Sequence, residues 1–576
     1  MSKINNNNRR QFIQQSALVA SAAAFPGLLS AKSVQLRSMP TRAFNADVEI
    51  EMTAKKAQIS VLKSGPTTRV QKYYGKVLKG PKETVQTLKG NYLGPILNFK
   101  KGQKVRVYFY NKLNEPSIIH WHGLHVPQKS DGHPMYTIKP GERYVYEFEV
   151  MNRAGTSFYH SHTHELTAEQ VYQGLAGLIT VTDEEEQKLD LPRGEYDLPL
   201  VIQDRTFNDR NQLQYLHGMH GRMMGFLGES ILVNGQADTE FSVKTRAYRF
   251  RALNGSNSRI YKLGWDDGTP LTAIGTDASL LEKPETKPYI MLAPGERVDL
   301  WLDFSDRKVG SKLVMYSLPY SGAMPPMYQK MQSGKGGSMG MGGMRGGMMG
   351  GKGKMGGMGM MGGGLAQGSK FPIASFKVTE KVSSSPKLPS RLVKFDRLNE
   401  SDADNINKPI PIAISMKPMS PRLNGKSFSL DKVLDFERVP MGSIKKIKIF
   451  HDHGMKKEHG DSKGKMKMSS MRGKGGMGMM SGGMGGGMMM SMAHPIHLHG
   501  QQYQIISRKM EGMRKEDYAT VKDGFIDSGW KDTVLVMPGE EIEVIKPFQD
   551  FKGFFLYHCH NLEHEDLGMM RQFYVY

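Results

Sequence analysis

In each of four short motifs of this chain two histidines stand two residues apart: His120/His122 in HWHG, His160/His162 in HSH, His497/His499 in HPIHLHG and His558/His560 in HCHNLEH. On an extended strand, residues two apart project to one face. Each pair therefore offers two imidazoles to one point, and the four pairs offer eight from two distant parts of the chain. Neutral imidazole suits copper, zinc, iron and nickel. One such pair alone says little, because paired histidines are often satisfied core or surface groups. Four of them, the last enclosing the chain's single cysteine, leave little room for coincidence.

That cysteine, Cys559, points away from His558 and His560 on an extended strand, so its thiolate faces a second site. His494 precedes the 497/499 pair by an odd offset and also faces away from it. His564 and Met569 follow downstream. Together they make a trigonal His₂Cys set with a long axial thioether, the ligand set of a blue-copper electron-transfer site. Zinc would call for four closed ligands or an open three-ligand site. A cysteine nucleophile would need a free histidine base, and every histidine nearby is better used as a ligand.

Strands must position these groups. KVRVYFYNKL (104–113), ERYVYEFEV (142–150), GLAGLITVTD (174–183), YRFRALNG (248–255) and ERVDLWLDF (296–304) alternate with period 2 and read as half-buried strands. Many such runs broken by Gly, Pro, Asn and Asp suggest β-sandwiches. KPGERYVYEFEV (139–150), APGERVDLWLDF (293–304) and MPGEEIEVIKPF (537–548) repeat Pro-Gly-Glu before a strand, which predicts three sandwich units with an insertion before the third.

Two low-complexity segments, 331–364 and 455–492, fit that insertion and carry 10 and 12 of the 42 methionines. Sequence so rich in glycine cannot bury a fixed core and is expected to be mobile and disordered. Methionine is costly to expose because it oxidises, which points to a role for its thioethers. The formal charge of +22 is spread along the chain without a nucleic-acid-binding motif, so a lysine-rich solvated surface is expected, with no nucleic-acid partner. One cysteine forms no internal disulfide. NRRQFIQQSALVASAAAFPGLL pairs Arg9 and Arg10 ahead of a short apolar run that is too short to span a bilayer. It resembles a twin-arginine export signal, departing from it at Asn8, Ile13 and Gln14, and implies a periplasmic or other extracytoplasmic destination. No later stretch reads as a transmembrane segment.

The motifs HxHG, HxH, HPxHxHG and HCHxxxHxxxxM, in that order, resemble the multicopper oxidase family. GLAGLITV, YRFRALNGSNSR, GWKDTVLV and EHEDLGMM extend the likeness, most of all to exported bacterial cuprous oxidases of copper tolerance. The resemblance implies an all-β chain of three cupredoxin-like Greek-key β-sandwich domains: 46–190, 191–385 with the insert 331–364, and 386–576 with the insert 455–492, after a signal and linker at 1–45. It implies four copper ions. Type 1 copper would be held by His494, Cys559, His564 and Met569, and type 2 by His120 and His497. The type 3 pair would be held by His122, His160, His162, His499, His558 and His560. Asp131 and Glu565 match acidic positions near the cluster and are candidate proton relays.

The expected reaction takes electrons singly from a donor and reduces O₂ to water. Thioethers favour Cu(I), and the second segment ends at Met492, two residues before His494. Met492 matches a substrate-copper position of the family. Met490 stands where the family has an acidic residue, and the segments lie at other places than the relatives' single Met-rich segment. HDHGMKKEH adds His451, His453 and His459 as candidate ligands. Three readings stay open: a cuprous oxidase for copper detoxification, a laccase-like oxidase of phenolic or other organic donors, and a copper-sequestering protein. A monomer is expected.

Overall fold

The computed structural model describes residues 39–41, 43–215, 218–277, 279–325, 365–417, 420–452, 491–510 and 515–576. The paired arginines, the segment 331–364, and His453, His459 and Met490 of the second segment lie outside the described residues.

Six sheets form three sandwiches. In the first, a sheet of Thr68–Lys79, Val48–Ile59, Lys104–Asn111 and Arg143–Glu149 faces one of Val85–Gln86, Ile96–Lys100, Ala176–Thr182, Gly155–Ser161 and Ile119–His120. Buried apolar side chains from both, among them Val48, Val107, Trp121, Tyr146 and Ile179, make one core. The second and third sandwiches have their own cores around Phe250, Leu300 and Phe376, and around Ile449, Val534 and Phe573. Among the described residues no helix is long and apolar enough to cross a membrane.

The three sandwiches repeat one wiring. Val48–Ile59 runs parallel to Lys104–Asn111, Asp197–Arg205 to Ala247–Asn254, and Ile410–Lys417 to Ser443–His451. Each second strand then pairs antiparallel with the strand that follows a Pro-Gly-Glu turn: Arg143–Glu149, Arg297–Asp303 and Glu540–Phe548. The turn explains its own recurrence. Gly141, Gly295 and Gly539 all sit near φ +80° (82, 81 and 80°), where a side chain is strained. The glutamate that follows accepts from the backbone N–H three residues earlier, at Lys139, Ala293 and Met537 (2.7, 2.8 and 2.9 Å).

The strands predicted from alternation form within about two residues of their expected ends, but two of them are not half-buried. All of Ala247–Asn254 is buried, as is all of Arg297–Asp303 except Asp303. The arginines that look like a solvent face pair inside the protein. Arg249 reaches Asp299 and Glu186 (2.5 and 3.0 Å), and Arg251 reaches Asp197 (2.7 Å). Charges buried like this need such partners. Thr156 of the first sandwich joins the network through Asp299 (2.6 Å) and Arg251 (2.9 Å), sealing the two sandwiches together.

Candidate metal centre

The histidine pairs sit on neighbouring strands of the first and third sandwiches. His120 lies opposite His160 on the first, and His497 opposite His558 on the third. The two faces meet, and their rings interleave. His122 stacks on His497 with centroids 3.6 Å apart, and His120 on His499 at 3.9 Å. His162 and His499 each bring Nε2 to within 3.3 and 3.2 Å of His558 Nε2. All eight imidazoles are buried. Burial holds His120, His122, His162, His499, His558 and His560 well below the ordinary imidazole value, and His160 at about 3. These seven rings are therefore in the neutral form that binds metal.

One nitrogen of each of several rings is tied to the protein. Nδ1–H of His120 donates to the Asp131 carbonyl (2.6 Å), that of His497 to the Asp532 carbonyl (2.8 Å) and that of His160 to the Ser161 carbonyl (2.8 Å). Nε2–H of His122 donates to Asp532 Oδ1 (3.0 Å), and Nδ1–H of His499 to Asp131 Oδ2 (2.7 Å). The opposite nitrogens, Nε2 of His120, His160 and His497 and Nδ1 of His122, are enclosed with no hydrogen-bond partner. A buried unpaired acceptor costs free energy unless something binds it. A metal ion answers that requirement, and fixing the far nitrogen sets the tautomer it needs. Donor atoms of His120/His122/His160, His120/His497/His499 and His162/His499/His558 lie within 4.8 Å of one another in each set.

The second set is His494, Cys559 and His564, with donor atoms within the same 4.8 Å. Cys559 Sγ stands 3.4 Å from His494 Nδ1 and 3.7 Å from His564 Nδ1. Met569 is fully buried in the same core cluster, and its carbonyl accepts from the Cys559 amide (3.1 Å). Burial pushes the Cys559 thiol up, so a bound cation must displace its proton. Cys559 is flanked by His558 and His560, so this site is one residue away from the imidazole cluster in both directions.

Both predicted acidic residues lie at the cluster. Asp131 is fully buried, with Oδ2 on His499. Glu565 lies between His558 Nδ1 (3.1 Å) and His162 Nδ1 (3.7 Å). Burial raises the carboxyl pKa of both. Met492 is buried, and its carbonyl accepts from His451 Nε2 (3.1 Å), so His451 orients the chain near His494.

Sequence reasoning missed Asp532 and Arg297. Arg297 grips Asp532 with two nitrogens (2.7 and 2.5 Å), and Asp532 in turn holds His122 and His497. Both lay inside quoted motifs, GWKDTVLV and APGER, but the residues are 235 apart and nothing in either motif says that they meet. It also missed Glu563. That carboxylate accepts from Tyr215 Oη (2.8 Å), the Phe226 amide (3.0 Å), Asn257 (2.8 Å) and Ser258 (2.5 Å). It thereby pins both flanks of the helix Met219–Met224 beside His564, whose Nε2–H donates to the Met223 carbonyl (3.0 Å).

Sequence profiles of the multicopper oxidase family match residues 69–186 and 485–576, the two stretches that carry the histidine clusters. The chain is 28% identical to the multicopper oxidase mco of Staphylococcus aureus over 509 residues, 88% of each chain. It is 26% identical to the laccase of Bacillus subtilis, covering 84% of this chain and 88% of that one. The crystal structure of the McoA multicopper oxidase from Aquifex aeolicus is similar across 92% of this chain and 97% of that one, with 30% identity and a TM-score of 0.68. Three sandwiches of one wiring, a buried imidazole cluster between the first and third, a thiolate set one residue away and these relatives agree: the chain belongs to the multicopper oxidase family, oxidoreductases that use four copper ions and O₂.

Proposed function

We propose that this chain is an exported cuprous oxidase that takes electrons singly from Cu(I) and couples them to the reduction of O₂ to water. The observation that carries the choice of donor is a cluster of three buried methionines, Met224, Met324 and Met492, from three separate segments. Met492 is two residues from His494, and Met224 follows the residue whose carbonyl accepts from His564. Thioethers bind Cu(I) in preference to Cu(II). The Met223 carbonyl also occupies the outer nitrogen of His564, the edge on which a bulky organic donor would rest.

In this reading His494, Cys559, His564 and Met569 hold the type 1 copper, and His120 and His497 the type 2. His122, His160, His162, His499, His558 and His560 hold the type 3 pair. Copper bound there supplies one-electron acceptance at the thiolate set and four-electron reduction of O₂ at the imidazole set. The protein's own groups orient and protonate. Asp131 and Arg297-held Asp532 fix ring tautomers, and buried Glu565, which holds a proton more readily than an exposed carboxylate, carries protons to the cluster. The paired arginines support export. The proposed domains, 46–190, 191–385 and 386–576, are supported by the repeated wiring. A laccase-like activity is the second reading, favoured by the likeness to laccases.

Steady-state O₂ uptake with Cu(I) as sole donor, against a phenol, tests the choice. Copper-loaded protein should turn over Cu(I), and Met224→Leu and Met492→Leu, which conserve volume, should slow Cu(I) oxidation while leaving phenol oxidation alone. No catalytic uptake with Cu(I) overturns the proposal: uptake with the phenol then selects the laccase reading, and none with either selects sequestration.

A further inference from the structure

Trp121 stands between His120 and His122 as Cys559 stands between His558 and His560. The thiolate is one residue from two cluster histidines, and so is the indole. From Trp121 a line of oxidisable rings crosses the first sandwich. Trp121 packs edge-on against Tyr146 (centroids 5.2 Å), Tyr146 against Tyr144 (4.9 Å) and Tyr144 against Tyr136 (5.9 Å). Trp121 and Tyr146 are fully buried, Tyr144 nearly so, and Tyr136 reaches solvent. A branch through Tyr159 (5.8 Å from Trp121) to Tyr73 (5.5 Å further) ends at a fully buried ring. Phenylalanine fills other places in the same core, as at Phe99, Phe109 and Phe148, so packing alone does not demand tyrosine along this line.

We propose that Trp121, Tyr146, Tyr144 and Tyr136 conduct an oxidising equivalent from the imidazole cluster to the protein surface when the electron donor runs short. Reducing O₂ takes four electrons, and a shortage leaves partly reduced oxygen enclosed among imidazoles. The inference rests on the imidazole cluster being the O₂ site, not on which donor the enzyme uses.

The electron balance runs inward. Trp121 gives one electron to the oxidant at the cluster and is refilled by Tyr146, Tyr146 by Tyr144, and Tyr144 by Tyr136. Tyr136 loses its phenolic proton to water and becomes a neutral phenoxyl radical. One electron from a solution donor of the kind the enzyme oxidises, with one proton from water, restores it. Hydrogen bonding sets the direction. Trp121 Nε1–H is buried with no acceptor, so an oxidised indole cannot shed its proton and settle. Tyr144 donates only to the Lys129 carbonyl (2.7 Å), a poor base. Tyr136 accepts from Gln128 Nε2 (3.0 Å) and has water within reach to take its proton. Short steps between rings outrun one long jump, because tunnelling falls steeply with distance.

The test uses copper-loaded full-length protein, given O₂ with the donor limiting. Freeze-quench paramagnetic resonance with deuterated tyrosine reports a tyrosyl radical, and peptide mass spectrometry locates oxidation products. The expected result is oxidation concentrated at Tyr136. In Tyr144→Phe it should disappear from Tyr136 and move back to Tyr146 and Trp121, and in Tyr136→Phe it should stop at Tyr144. Steady-state O₂ uptake with saturating donor should match the parent in both variants. Undiminished oxidation of Tyr136 in Tyr144→Phe, or equal oxidation in copper-free protein, overturns the proposal. A parent protein that takes up no O₂ with any donor refutes the placing of the O₂ site instead.

Discussion

Asp532→Asn separates the imidazole cluster from the thiolate site. The carboxylate takes Nε2–H of His122 on Oδ1 (3.0 Å) and the two-pronged Arg297 contact (2.7 and 2.5 Å), all in full burial. Burial pushes this carboxyl up, but Arg297 and His122 outweigh it and hold it well below the usual range, so it stays ionised at any working pH. A hydrogen bond to a charged acceptor contributes about 1.5–3 kcal/mol and a neutral one about 0.5–1.5, a difference of about 1–1.5 kcal/mol. At 1.4 kcal/mol per decade that weakens metal binding through His122 by about tenfold, at the low end for outer partners of metal-bound histidines. The Asn amide also turns N–H toward Arg297, leaving a buried guanidinium short of a partner. Breaking such a pair costs about 3–5 kcal/mol, and the low end applies because Asp277 Oδ1 (3.5 Å) and the Gly295 carbonyl (2.8 Å) remain.

The assay is competitive copper titration of the copper-free protein against a chelator. Total bound copper is counted by atomic absorption, and the thiolate site is followed by its blue absorbance. Cys559, His494 and His564 make no contact with Asp532, so the blue band should saturate at the parent's free-copper level while the remaining copper binds about tenfold more weakly. Equal weakening of both signals, or of neither, would refute the idea that Asp532 acts through His122.

Two further outcomes follow from single groups. Cys559→Ser should abolish the blue absorbance and donor oxidation while far-UV dichroism stays that of the parent, since Ser matches the buried thiol in shape and costs about 1–3 kcal/mol for its hydroxyl; a retained blue band would remove Cys559 from the site. Burial pulls the Lys546 ammonium down to about 7, beside Asp532 and Asp131, which pull the other way. Between pH 7 and the ordinary lysine value near 10.5 the unfolded chain then holds a proton that the folded chain lacks, so stability rises with pH across that window. Lys546→Met should flatten the rise, read from denaturant midpoints at pH 7 and pH 9, and an unchanged slope would count against a buried neutral lysine.

The clustering of the histidines and Cys559 is legible in sequence because strand geometry converts a spacing of two into one face, and because a cysteine between two such histidines points the other way. The sandwich count is legible because Pro-Gly-Glu marks the same turn three times. Burial of the arginine strands is not, since YRFRALN reads as one polar face and one apolar face until Asp299, Asp197 and Glu186 arrive from elsewhere. Nor is the Met223 carbonyl on His564, because a backbone acceptor leaves no mark on residue identity. Met492 is marked in sequence by its match to a family position, but Met224 and Met324 look incidental and join it only when three segments fold over one site.

None of the twelve residues proposed to hold the four copper ions lies between His162 and His494, so in the proposed arrangement the second sandwich supplies no ligand to those four. Its contribution is constraint. Arg297 clamps the third sandwich's Asp532, Asn257 and Ser258 hold Glu563, and the Met223 carbonyl orients His564. The cluster needs the first and third sandwiches face to face, with rings such as His122 and His497 stacked at 3.6 Å. The packed imidazoles, six of the eight with a ring nitrogen that has no hydrogen-bond partner, do not draw one another together. Buried ion pairs and hydrogen bonds from a third body can hold them in place before any metal arrives, and the two-pronged Arg297–Asp532 pair is such a tie. A clamp of this kind lowers the reorganisation that metal binding must drive, and so turns a structural sandwich without ligands into a determinant of copper affinity.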